Sequence, residues 1–229
     1  MKKTLILIPG LSYNKDLWKT VIDTVKKEYD CKVLLVEHDH LDEIVSFVLK
    51  KAPEHFCIAG HSIGAWASLA VAAKAKKRVE KLVVIGGWAR PNPNVKEFLT
   101  GMIKEVQGGH LDVFQSNLRS AAIYEKAKNK DRIDEMVKKM QKDMKKELYI
   151  TQAKAIINDM DITKRLPEIT ADTLIVHNEF DGFFSLEEAQ YLKEHIPHAK
   201  LQIIKGVGHM SLLEKPDEMA QIVAKFLTK

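Results

Sequence analysis

The chain is poor in cysteine: Cys31 and Cys57 are the two in 229 residues. Two thiols cannot build a disulfide framework, and free thiols fit a cytoplasmic setting. Long apolar runs are absent as well. The longest reach about five residues, far below the roughly 20 that cross a membrane. The apolar stretch behind Met1-Lys2-Lys3 stops at Pro9-Gly10. It is too short for a signal peptide and has no small-residue cleavage site. There is no internal repeat, no low-complexity segment and no metal-ligand spacing. His38, Asp39 and His40 are adjacent, but neighbouring strand residues alternate faces, which argues against a three-ligand site. No metal or cofactor is therefore expected. Hydrophobic content of 45% and charged content of 29% exclude a disordered chain. The net charge of +5 is mild and points to neither nucleic acid nor a membrane as partner.

What is present is an alternation of strands and helices. Leu5-Ile6-Leu7-Ile8 is a continuous apolar run, as in a parallel strand buried on both faces. The pattern predicts a helix over 17–29, a strand over 32–37, a helix over 41–51 and a strand over 55–59. An alanine-rich helix over 63–75 and a strand over 81–85 follow. From 89 to 165 no strand is expected, only helices. Strand and helix then resume over 173–176, 186–195, 201–204 and 216–227. This rhythm implies right-handed crossovers and a parallel sheet of about six strands. The expected organisation is a core of residues 1–88 and 166–229 carrying a helical lid of residues 89–165.

Gly60-His61-Ser62-Ile63-Gly64 fits G-x-S-x-G between a predicted strand and a predicted helix. A serine on so sharp a turn stands exposed above the carboxyl edge of the sheet, and the glycines give strand and helix room to approach. A hydroxyl is a weak nucleophile until an imidazole takes its proton. His209, in Gly206-Val207-Gly208-His209-Met210 after the last strand, is the candidate base. His61 adjoins the serine but should point elsewhere. His38, His40 and His110 could approach the pocket, whereas His55, His195 and His198 read as surface residues. Asp181, just past the penultimate strand, is the candidate acid that fixes the imidazole tautomer; Glu179 is its rival. Two backbone N–H groups could form an oxyanion hole: Ile63 at the helix start and Leu11 behind Pro9-Gly10.

In these residues the chain resembles the α/β-hydrolase family, with the order Ser, Asp, His. The resemblance spans nearly the whole sequence. It implies Ser62 as nucleophile, His209 as base, Asp181 as acid and Leu11 with Ile63 as oxyanion donors. The helical insertion resembles the lid of the branch that holds small carboxylesterases, pimeloyl-acyl-carrier methyl ester esterases and C–C bond hydrolases. The departures are specific. Pro9 stands where His often precedes the glycine, Asn178 replaces a glycine before the acid, and Ser185 stands where proline is common. The family's first two antiparallel strands normally precede the oxyanion loop, which here comes at residue 10.

Trp88, Phe180, Phe183, Phe184 and Met210 could line an apolar acyl site, and Trp66 reads as core. A helix over 131–148 places Ile133, Met136, Val137, Met140, Met144 and Leu148 on one face and Lys138, Lys139, Lys142, Lys145 and Lys146 on the other. Residues 126–146 hold nine basic and four acidic side chains, the whole of the +5 excess. The lysine face is a solvated surface or a docking site for an acidic carrier protein. The function expected is a cytoplasmic serine esterase acting on a small-molecule carboxylic ester through an acyl-enzyme. Cleavage of a methyl ester on a carrier-bound acyl chain, C–C hydrolysis, lyase chemistry and acyl transfer use the same triad. A non-enzymatic ligand-binding protein is the remaining class.

Overall fold

The computed structural model describes residues 2–142 and 144–228. Its strands are β1 (Lys3–Ile8), β2 (Tyr29–Val33), β3 (Phe56–His61), β4 (Val79–Ile85), β5 (Asp172–Asn178) and β6 (Lys200–Ile204). They form one parallel sheet in the order β2-β1-β3-β4-β5-β6. The helices are α1 (Lys19–Val25), α2 (Leu41–Lys51), α3 (Ile63–Lys74), α4 (Pro93–Gln107), α5 (Leu111–Ala122), α6 (Lys130–Lys142), α7 (Lys146–Asp159), α8 (Leu186–His195), α9 (Ser211–Glu214) and α10 (Pro216–Thr228).

Alternation along β1 divides the core. Leu5 and Leu7 face Val21, Val25, Met219 and Val223 of α1 and α10. Ile6 and Ile8 face the side that carries Ile44 and Val48 of α2 and the buried residues of α3. Both faces are covered, which is why the inner strands β1, β3, β4 and β5 carry unbroken apolar runs. No helix among the described residues is long and apolar enough to cross a membrane.

The second strand departs from expectation. It runs over Tyr29–Val33 rather than 32–37, and α1 correspondingly stops at Val25. An edge strand is half wet and alternates: Tyr29 is buried, Asp30 and Lys32 are exposed. The apolar run Val33-Leu34-Leu35-Val36 marks the chain leaving the strand, with one further bond from Leu34 N–H to the Leu7 carbonyl at 3.0 Å.

The predicted helix over 131–148 is also two helices, α6 and α7. Lys145 is extended, with φ −71° and ψ 141°. The reason lies in the two cores. Ile133, Val137 and Met140 pack with α9 and α10, whereas Tyr149, Ala153 and Ile156 join the core on the opposite face. One straight helix cannot serve both directions. Met136 stays exposed, and Lys138 is paired with Asp134 and Glu135.

The turn from β3 into α3 brings strand and helix backbones very close. α3 is buried from Ile63 through Ala73, mostly on small side chains. A Cβ at Gly60 would lie 2.1 Å from the Gly64 carbonyl oxygen, and one at Gly64 would lie 2.1 Å from the Ile8 oxygen. Neither glycine can be replaced without moving backbone. Between β4 and β5 the chain builds α4 to α7. α4 opens on Pro93 with Asn92 as its cap, whose Oδ1 accepts from Asn94 N–H at 3.0 Å and Val95 N–H at 3.4 Å.

Candidate active site

Ser62 sits between β3 and α3 with φ 56° and ψ −123°. A positive φ is strained for a residue with a Cβ. The strain is held by neighbours: Ser62 N–H donates to the Ile85 carbonyl at 2.9 Å, and its own carbonyl accepts from Ala65 and Trp66. Its side chain reaches the wall of a cavity of about 420 Å³, which His209 also lines.

His209 Nδ1 lies 2.8 Å from Asp181 Oδ2, and both side chains are almost wholly buried. Asp181 Oδ1 accepts from the N–H groups of Phe183 at 2.9 Å and Phe184 at 3.2 Å. Burial alone would raise the Asp181 pKa. Attraction to His209 and these hydrogen bonds outweigh it, so the carboxyl titrates below its usual range. With Nδ1 engaged by Asp181, Nε2 is the ring nitrogen left to face Ser62. No hydrogen bond of 3.5 Å or less joins Ser62 and His209 among the described residues. Such bonds commonly tighten only when substrate is bound. Glu179 accepts instead from Lys205 at 3.0 Å and from Gly206 N–H at 2.8 Å, away from the imidazole.

Several groups position His209 that the sequence did not single out for this task. His61 does not point away from the site. Its ring lies 4.6 Å from that of His209, and its Nε2 is 2.9 Å from the His209 carbonyl. Asn178 lies in extended backbone, not in a left-handed turn, and its amide also donates to that carbonyl, at 3.3 Å. Gly86, with φ 55°, leaves room where a Cβ would come within 3.0 Å of His209 Cε1. Glu214 accepts from Gly208 N–H at 3.0 Å and holds the loop from below.

Burial, with the neighbouring His209, pushes the His61 imidazole down to about 3. It is therefore neutral when folded, whereas an unfolded imidazole binds a proton near 6.5. The folded value is the lower one, so this stability is present above about pH 6.5 and is lost as pH falls toward 3. The slope is about 1.4 kcal/mol per pH unit in that window. Denaturant unfolding at pH 7 and pH 4.5 is expected to show a steeper acid loss for wild type than for His61→Gln. Equal losses would show that His61 is not the group responsible.

Of the five residues expected to line the cavity, Trp88, Phe183 and Phe184 do. Met210 does not: it is fully buried in the core beneath α10. Phe180 does not either. It lies half exposed and stacked on Tyr124 at 4.4 Å. The remaining apolar wall comes from Val95, Phe98, Leu99, Phe114, Leu118 and Ile156 of the inserted helices. Among the described residues no Lys, Arg, Asp or Glu lines the cavity. Leu11 lies on its wall, and the N–H of Ile63, first in α3, has no acceptor within its helix.

The other sequence candidates fall away from this cavity. His38, His40 and His110 pair with Glu43, Asp159 and Glu105. Burial pushes both thiols up, Cys31 to about 11, so neither is a thiolate nucleophile. Among the described residues no three His, Cys, Asp or Glu side chains are grouped to hold a metal ion.

The model of the alpha/beta hydrolase fold family matches residues 36–216, and the chain belongs to that family. Among curated relatives, a Caulobacter sp. strain K31 protein provisionally named carbamate hydrolase RutD is 25% identical over 99% of this chain and 91% of its own length. The pimeloyl-[acyl-carrier protein] methyl ester esterase of Vibrio parahaemolyticus is 22% identical over 97% of this chain and 93% of its own. Among solved structures, the enol-lactonase of Burkholderia xenovorans LB400 superposes with a TM-score of 0.90 at 17% identity, covering 100% of this chain and 92% of that one.

Proposed function

We propose that the protein is a serine hydrolase that cleaves carboxylic esters of neutral, apolar acyl groups. The observation that carries this is the buried His209–Asp181 pair at 2.8 Å, whose imidazole lines the same cavity as Ser62 on its positive-φ turn. Ser62 Oγ attacks the ester carbonyl while His209 Nε2 takes its proton. The oxyanion is held by the N–H groups of Leu11 and Ile63. The alcohol leaves with the proton from His209, and the acyl group stays on Ser62. Water then attacks, His209 accepts its proton, and the free acid departs as the serine is reprotonated.

Residues 89–165 act as the lid. Their apolar side chains form the acyl wall, and the absence of charge there disfavours an acyl chain with a free carboxylate. The relatives' names support ester chemistry on this fold: one is a methyl ester esterase, another a lactonase. A second reading, a methyl ester on an acyl chain carried by an acidic protein, is favoured by the first of these names and by the exposed Lys139, Lys142, Lys145 and Lys146.

The test is a fluorophosphonate probe followed by peptide mapping, with a panel of p-nitrophenyl esters of increasing chain length. Labelling of Ser62 and turnover of uncharged acyl esters are expected. A terminal carboxylate on the acyl chain is expected to lower kcat/KM about 100-fold, the scale of an unpaired charge against an apolar wall. Folded protein that takes no label overturns the proposal. A methyl ester on a carrier protein, added to the panel, separates the two substrates.

A further inference from the structure

The turn that carries Leu11 is strained, and something outside it holds it in place. Tyr13 N–H donates to the Gly10 carbonyl at 3.1 Å, which makes Gly10 to Tyr13 a reverse turn with Leu11 and Ser12 at its centre. Ser12 has φ 75°. A positive φ at the second central residue belongs to the type II form, where glycine or asparagine is the usual occupant. Serine there is a poor fit by backbone preference alone. Ser12 is also fully buried, so its N–H cannot turn to water.

The acceptor for that N–H comes from 140 residues further along the chain. Gln152 Oε1, on α7, accepts from Ser12 N–H at 3.2 Å. The other end of the same amide, Nε2, donates to the Val36 carbonyl at 3.3 Å. Gln152 is 1% exposed. One buried side chain of the insertion thus ties the turn after β1 to the segment after β2. Loss of the acceptor removes the bond that opposes relaxation of Ser12. The Leu11–Ser12 peptide can then turn over toward an ordinary φ, and the turn shifts with it.

We infer that Gln152 is a positioning residue for the oxyanion hole: by fixing the Leu11–Ser12 peptide, and with it Ser12 at φ 75°, it holds in shape the turn whose preceding peptide, Gly10–Leu11, carries the Leu11 N–H. The inserted helices then contribute to the catalytic step itself as well as to the shape of the acyl cavity. This inference rests on the serine-hydrolase reading given above.

The test compares wild type, Gln152→Met, Gln152→Glu, Ser12→Gly and the Ser12→Gly/Gln152→Met double variant. The readouts are kcat and KM on a short p-nitrophenyl ester, inhibition by a trifluoromethyl ketone, and the melting temperature. Removing a whole oxyanion donor costs about 10²–10³-fold in kcat, so displacing one is expected to cost about 10–100-fold. Gln152→Met should show that loss in kcat with KM nearly unchanged. The ketone, which forms a tetrahedral adduct on the serine, should weaken by the same factor. Ser12→Gly alone is the reference for the double variant. In the Gln152→Met background it should restore part of the loss, because glycine takes φ 75° without strain.

Gln152→Glu keeps an acceptor for Ser12 N–H in either protonation state, so its kcat should lie between those of wild type and Gln152→Met. It also stands in if the methionine variant fails to fold. A folded Gln152→Met protein with wild-type kcat and ketone affinity overturns the inference. So does a loss confined to KM, or a glutamate variant less active than the methionine one. Wild-type protein that turns over no ester and takes no probe overturns the serine-hydrolase reading and this inference with it. An active wild type with an unaltered Gln152→Met variant overturns this inference alone.

Discussion

Ser62→Ala is expected to reduce kcat on an activated ester by about 10⁴–10⁶-fold while leaving the melting temperature nearly unchanged. The two halves of this expectation have different sources. Alanine has no Oγ, so no acyl-enzyme can form, and any residue of activity comes from water attacking an ester polarised by the oxyanion donors. The backbone at Ser62, φ 56°, is as awkward for alanine as for serine. The bonds that hold it, from Ser62 N–H to Ile85 and to the Ser62 carbonyl, are all main chain. The measurement is steady-state hydrolysis beside a titration of probe-reactive sites, so that traces of active enzyme are counted. More than about 1% of wild-type turnover in a variant free of such sites would remove Ser62 from the mechanism.

Asp181→Asn is the second large effect, with kcat expected to fall by about 10⁴-fold. An asparagine of the same shape can still accept from Phe183 and Phe184 through one oxygen. Its amide, however, presents a donor to His209 Nδ1. That selects the tautomer with the proton on Nε2, which cannot accept from Ser62. The same substitution has a signature in stability. The Asp181 carboxyl titrates below its usual range in the folded protein. Its contribution is therefore present above the unfolded value near 3.9 and disappears as pH falls through the lowered folded value. Wild type should lose this share of stability in acid and the asparagine variant should not. Activity within tenfold of wild type would place the acid elsewhere.

The parts of this molecule legible in the sequence are those set by local pattern. Leu5 to Ile8 and Leu82 to Ile85 announce strands because both faces are buried. Leu41 to Lys51 announces a helix because its apolar positions recur at helical spacing. The serine turn is legible because glycines are needed on both sides of it, and Gly60 and Gly64 prove to have no room for a Cβ. What was not legible depends on partners far along the chain. The position of β2 escapes the pattern because an edge strand alternates rather than runs apolar. The break between α6 and α7 follows from two cores lying in different directions, which no window of sequence reveals. His61 sits beside Ser62 in the sequence, yet its bond is to His209, 148 residues away. Met210 and Phe180 occupy the correct loops, but loop position alone does not say which way a side chain turns. The apolar cavity wall from α4, α5 and α7 escapes a reading of the sequence because its residues are spread over three helices.

The rings beside the imidazole also have a spectroscopic consequence. Trp66 and Trp88 are stacked with centroids 5.8 Å apart, Trp88 and Phe184 are stacked at 4.9 Å, and Phe184 lies 5.7 Å from His209. Of the three tryptophans, Trp18 and Trp66 are fully buried, and Trp88 alone borders the cavity. An occupant of the cavity changes the surroundings of one indole and, through the stack, of a second. The intrinsic fluorescence therefore carries an optical report of occupancy. It works for colourless ligands, and it persists in a variant that has lost its nucleophile and can only bind.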